Sequence, residues 1–197
     1  NSISEMADDY IKIIKSVQEE GPYNILVYCF SATVGHEISM KMKDTGDVCN
    51  LIVMDTMAKP WTLNTPNRLK IRALGFYRRL LNRPFYTMNH MISIRLNNLI
   101  NQSHKVLGNE QQKTLEELRA NLARLSRTYE WKPFNGKISL ILTEKPHESL
   151  NKETIKSWKE FATGGINILK CEGKHSSLFE PHNLPNVAKK IEDCIGD

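Results

Sequence analysis

Four residues with nucleophilic or acid–base side chains follow short apolar runs in this 197-residue chain. Cys29 follows Tyr23–Tyr28, Asp55 follows Cys49–Met54, and Glu144 follows Lys137–Thr143. His175 follows Ile166–Cys171 across the loop Glu172-Gly173-Lys174. Runs of this kind suit strands of a parallel sheet, and such sheets gather their chemistry in loops at the strands' carboxyl ends. Cys29 stands where a strand turns directly into a helix, whose N-terminus favours a thiolate. The N–H of Phe30, next in the chain, points toward an oxyanion there. His175 is a candidate general base for the thiol. Asp55 is a candidate for holding the imidazole in one tautomer, with Glu144 as the alternative acid. Cys49, Cys171 and Cys194 show no C-x-x-C spacing and read as small apolar fillers, with no zinc site or redox pair. His36, His90, His104, His147 and His182 read as surface or helix-packing residues.

The elements that must position these groups alternate. Ser4–Gln18 is amphipathic through Ile3, Tyr10, Ile11, Ile14 and Val17, capped by Ser2 or Ser4 and stopped by Gly21-Pro22. Tyr23–Cys29 is apolar without alternation, which predicts a strand buried on both faces. Val34, Ile38 and Met42 give a helix after Ser31, ended by Gly46. Cys49–Met54 is a second strand. Leu63–Tyr129 is mostly helical, broken at Gly75, Pro84 and Gly108, and its last helix, Gln111–Arg127, carries Leu115, Leu118, Leu122 and Leu125. Strands at Lys137–Thr143 and Ile166–Cys171 flank a helix at Ser149–Thr163, and Pro181–Ile195 closes the chain. With Trp61–Lys132 set aside, the order is α-β-α-β-(insert)-β-α-β-α, the alternation of a parallel sheet with helices on both faces.

Composition agrees with a folded globular protein: 40% hydrophobic and 25% charged. No run is long enough for a membrane span, the start has no signal-peptide pattern, and a reducing cytoplasm suits the free cysteines. The net charge of +5 is uneven. Trp61–Lys132 holds 13 Lys/Arg against 4 Asp/Glu, so the remainder is acidic. Such a segment is either a solvated helical face or a surface for an acidic partner. No nucleic-acid motif accompanies it, and its interleaved leucines look like core.

The stretch Gly21-Pro22-Tyr23-Asn24-Ile25-Leu26-Val27-Tyr28-Cys29-Phe30-Ser31 resembles the nucleophile elbow of the thioesterase domains that end nonribosomal peptide synthetases and polyketide synthases, which usually reads G-P-Y-x-L-x-G-Y-S-F-G-G. Gly165-Ile166-Asn167 and Glu172 through His182 are similar to that family's histidine loop and closing helix. The order nucleophile, acid, histidine is that of α/β-hydrolases.

The resemblance implies an α/β-hydrolase-type parallel sheet with flanking helices and a helical lid insertion. Residues 1–60 and 131–197 correspond to the core, expected to be N-terminally incomplete because the family's first strands and second oxyanion donor have no counterpart; residues 61–130 correspond to the lid. Cys29 takes the place of the nucleophilic serine, His175 that of the histidine, and Asp55 that of the acid; Glu144 stays the rival because many α/β-hydrolases place the acid after a later strand. Phe30 supplies one oxyanion-hole N–H. Phe76, Tyr77, Phe85 and Tyr86 line an acyl cleft or pack between lid helices, and Lys174 and Ser176 flank the histidine. The implied reaction is release of an acyl or peptidyl chain through an acyl-Cys intermediate, by hydrolysis or cyclisation. Substrate would arrive on the phosphopantetheine arm of an acyl or peptidyl carrier protein within a synthetase assembly line, with no other cofactor, no metal, no nucleic acid and no membrane. Val27 and Ser31 replace elbow glycines and the loop giving the second oxyanion donor has no counterpart, so the alternative is a catalytically degenerate docking module.

Overall fold

The computed structural model describes residues 2–59, 110–144 and 148–196, with side chains at 110–113 and 148–149 left aside. The insert aromatics Phe76, Tyr77, Phe85 and Tyr86, and His90, His104 and His147, lie outside the described residues. The chain divides into two compact units, Asn1–Pro60 with Leu122–Asp197, and Trp61–Asn121.

In order the described elements are α1 (Ile3–Val17), β1 (Tyr23–Tyr28), α2 (Ser31–Asp44), β2 (Cys49–Met54), α3 (Glu110–Thr128), β3 (Ile138–Leu142), α4 (Glu148–Lys159), β4 (Ile166–Lys170), a 3₁₀ turn (His175–Ser177) and α5 (Leu184–Ile195). The four strands form one parallel sheet in sequence order, β1-β2-β3-β4. Tyr28 lies opposite Met54, and Met54 opposite Ile141, so the strand ends are level. That register puts Cys29, Asp55 and the residues after Leu142 along one rim.

Pleating sends alternate residues to opposite faces. Leu51 and Val53 join Val27, Leu140, Leu142, Trp158 and Phe161 on one side. Ile52 and Met54 join Ile141, Cys171, Leu178, Val187 and Cys194 on the other. β2 and β3 are therefore enclosed, as their unbroken apolar runs predict. β1 differs from its expectation. It is an edge strand with Leu26 43% exposed, so among the described residues it is not covered on both faces.

Helix boundaries shift for local reasons. Ser2 caps α1: its hydroxyl accepts from the Glu5 N–H, and the Glu5 carboxylate accepts from the Ser2 N–H. The inward stripe of α1 is Ile3, Ala7 and the half-buried Met6, Ile11 and Ile14; Tyr10 and Val17 face outward. α5 starts at Leu184, later than Pro181, because Pro185 fits a first turn and Asn183 stands before it. Its last inward residue is Cys194, with Ile195 outside. α4 stops at Lys159, short of Thr163, because Phe161–Thr163 pair with the Phe134 backbone.

Candidate active site

Cys29 sits in the two-residue step, Cys29-Phe30, between β1 and α2. Its φ is +56°, a left-handed conformation that costs a non-glycine residue roughly 1–3 kcal/mol. The neighbours hold it there. Ser31 Oγ accepts from the Tyr28 N–H and donates to the Tyr28 carbonyl, both at 2.8 Å. The Cys29 N–H donates to Thr56 Oγ1 at 2.8 Å, and that hydroxyl donates to the Met54 carbonyl at 2.8 Å. The thiol is exposed, whereas Cys49, Cys171 and Cys194 are buried. Burial pushes the Cys49 and Cys171 thiols up, away from thiolate chemistry. Phe30 precedes α2 in helical conformation, so its N–H is among the first of the helix, which have no intrahelical acceptor.

Val27 and Ser31 stand where elbow glycines are usual, and the fold accommodates both. A Cβ on Gly35 would lie 2.1 Å from Val27 Cγ1. The glycine that lets strand and helix approach is thus on the helix, and the valine methyl fills its place.

Asp55 follows β2, also in the left-handed region at φ +50°. Its side chain is fully buried. Oδ1 accepts from the Thr143 N–H at 3.0 Å, and Oδ2 lies 2.9 Å from His175 Nδ1. His175 opens the 3₁₀ turn with its side chain 42% exposed. The turn is fixed at its C-terminal end: Asn183 Nδ2 donates to the Ser177 carbonyl at 2.7 Å, and Leu178 is buried under the sheet. Lys174 and Ser176 flank His175 and are exposed. With Nδ1 engaged by the carboxylate, Nε2 is the nitrogen left for proton transfer.

The structure therefore brings Asp55 and His175 into contact, and the β1–β2 register sets Cys29 beside the Asp55-Thr56 corner. Among the described residues, Glu144 follows Thr143 on the same rim but forms no hydrogen bond or ion pair with His175. Its N–H donates to the Gly173 carbonyl, and it lines a cleft of about 550 Å³ with Asn151, Lys170, Cys171 and Lys190. His182 is an exposed partner of Glu180 at 3.7 Å. His36 is buried in the core. Among the described residues no group of three or more His, Cys, Asp or Glu is arranged to hold a metal, and no helix is long and apolar enough to cross a membrane.

Three residues that shape the site were not singled out from the sequence. Gly35 carried a signal, since a glycine inside a helix costs about 1 kcal/mol against alanine and marks close approach. Thr56 carried none beyond its place at a strand end. Tyr28 contacts His175 across 147 residues, and its hydroxyl donates to the His175 carbonyl at 2.8 Å. Burial raises the Tyr28 phenol above its usual range, with the proximity of Cys29 and Asp55 adding to it, so the hydroxyl stays a donor.

A family model described as a thioesterase domain matches residues 1–195. A dimodular nonribosomal peptide synthase of Bacillus subtilis (strain 168) is 23% identical over 96% of this chain, and malpibaldin synthetase of Mortierella alpina is 20% identical over 96%. The chain spans only 8% and 3% of their lengths. The NocB thioesterase domain, solved as a covalent complex with a fluorophosphonate nocardicin G analog, is 20% identical with a TM-score of 0.65, covering 100% of this chain and 76% of that one. The SrfTE thioesterase domain, described as cyclising the lipopeptide antibiotic surfactin, is 17% identical with a TM-score of 0.56, covering 98% and 76%. These likenesses share the α/β-hydrolase thioesterase fold.

Proposed function

Since the chain belongs to the thioesterase domain family, we propose that it releases an acyl or peptidyl chain from a carrier protein of a nonribosomal peptide synthetase, through an acyl group carried on Cys29. The observation that carries this reading is the buried Asp55 carboxylate 2.9 Å from His175 Nδ1, at the rim where Cys29 occupies a strained elbow.

His175 Nε2 takes the thiol proton as Sγ attacks the thioester carbonyl. Asp55 fixes the imidazole tautomer and favours the imidazolium that forms. The tetrahedral oxyanion accepts from the Phe30 N–H. Collapse breaks the bond to the carrier's sulfur, which leaves with the proton from Nε2. The product is an acyl-Cys29 thioester. It stays more activated than an oxygen ester, so water or a nucleophile within the chain itself completes release, giving hydrolysis or cyclisation. The arm of the carrier is substrate, and no further cofactor enters.

Two of the grounds for reading a degenerate docking module are Val27 and Ser31. Gly35 makes room for the first, and the second bonds both backbone polar groups of Tyr28, so neither obstructs the elbow. The test is thiol release from a pantetheine thioester by the full-length protein. Cys29→Ala is expected to lower the rate at least about 10³-fold. A Cys29→Ala protein within tenfold of the parent overturns the assignment.

A further inference from the structure

His175 sits on a short turn between loops and is nearly half exposed, a setting in which an imidazole is poorly constrained by packing. One nitrogen is fixed by Asp55. A single hydrogen bond still allows the ring to swing about that contact, and general-base catalysis is sensitive to such motion. A second constraint is present. The Tyr28 ring stacks on the imidazole with centroids 4.6 Å apart and planes 27° from parallel. The Tyr28 hydroxyl donates to the His175 carbonyl, so the same side chain holds the backbone of the residue it stacks on. Phe179, four residues past His175, meets the Tyr28 ring edge-on at 5.1 Å and limits its movement. The Tyr28 backbone is clamped on both sides by Ser31 Oγ, and the next residue is Cys29. A stiff path of one residue thus links the nucleophile to the base.

We propose that Tyr28 is the positioning residue for His175, setting the ring plane by stacking and the turn by its hydrogen bond, so that Nε2 and Cys29 Sγ are held in register. The proposal rests on the reading of Cys29 and His175 given above. Tyr28 needs no contact with substrate. Its loss is therefore expected in the acylation rate and not in KM.

The experiment follows single-turnover acylation of the full-length protein by a pantetheine thioester, with burst amplitude counting competent sites. Tyr28→Phe keeps the stack and loses only the hydroxyl, and a fall of about fivefold is expected. Tyr28→Leu loses both, and a fall of about 100-fold is expected with burst amplitude and KM unchanged. In a His175→Ala background, Tyr28→Leu is expected to add nothing, because the group it positions is gone. A Tyr28→Leu rate within twofold of the parent, or an undiminished further fall in the His175→Ala background, overturns the proposal. If Tyr28→Leu fails to fold, Tyr28→Phe decides in both backgrounds by the same criteria. Loss of acylation in Cys29→Ala and His175→Ala with Tyr28 variants unchanged rejects the positioning role alone. Acylation surviving in Cys29→Ala rejects the site reading, and this proposal with it.

Discussion

Two histidines of this chain sit in networks of similar outline and opposite consequence. His175 meets Asp55 through Nδ1 and stacks on Tyr28. His36 Nδ1 lies 2.7 Å from the Tyr129 hydroxyl oxygen, which lies 2.9 Å from Glu37 Oε2, so a carboxylate again stands at the end. His36 also lies against an aromatic ring, Trp131, at 4.8 Å. The networks diverge at Nε2. In His36 it is spent on the Lys132 carbonyl at 3.0 Å; in His175 it has no protein partner among the described residues. Burial diverges as well. His36 is fully enclosed by α2 and by Tyr129, Trp131, Phe134 and Phe161, and burial lowers its pKa to about 4 despite the opposing effects of the Lys132 carbonyl and Glu37. One imidazole is a bolt between α2 and the segment after α3. The other keeps a nitrogen and an open side for chemistry.

Substitutions at the two networks should separate rate from stability. Asp55→Asn is expected to lower acylation by about 10³–10⁴-fold while leaving the thermal midpoint close to the parent, because an amide oxygen still accepts from the Thr143 N–H. Glu144→Gln should leave the rate within about twofold. The reverse outcome moves the acid to Glu144. His36→Ala should do the opposite. It empties a packed site and strands the Tyr129 and Lys132 partners, at a cost of about 3–5 kcal/mol in chemical denaturation. The acylation rate per folded molecule should not change.

The buried histidine also fixes the sign of a pH effect. Its folded pKa is depressed to about 4 from 6.5, so the unfolded chain binds the extra proton in that window. Stability should fall as pH drops from 6.5 toward 4, by about 3 kcal/mol from this group. Denaturation profiles of the parent and His36→Asn should diverge there, and parallel profiles would contradict it. A smaller effect is expected at the elbow. Gly35→Ala drives a Cβ into Val27 and should cost about 2 kcal/mol, partly recovered when Val27→Ala is added. Simple additivity of the two would sever the link between them.

How much of this was legible in sequence follows from the range of the interactions. β2 and β3 were, because a strand enclosed on both faces writes an unbroken apolar run. β1 writes the same run and is the outer of the four described strands, since composition records what a strand tolerates and not which neighbours it has. Cys29, Asp55 and His175 were nameable as candidates because parallel strands end together and each follows one. Their supports were not. Tyr28 reaches His175 across 147 residues, and His36 reaches Tyr129 across 93, distances at which no local pattern speaks. His36, read as a surface or helix-packing residue, is the latter, buried on α2 against the segment after α3. Gly35 lay within reach of Val27, on a helix whose interior glycine had no other purpose.

The measurement closest to the central claim is the mass of the full-length protein after brief exposure to an acyl or aminoacyl thioester, with the adduct mapped by peptide digestion. One acyl group is expected, on the peptide containing Cys29, forming far more slowly in His175→Ala. An adduct on Cys49, Cys171 or Cys194, or none at all while thiol release proceeds, would contradict it.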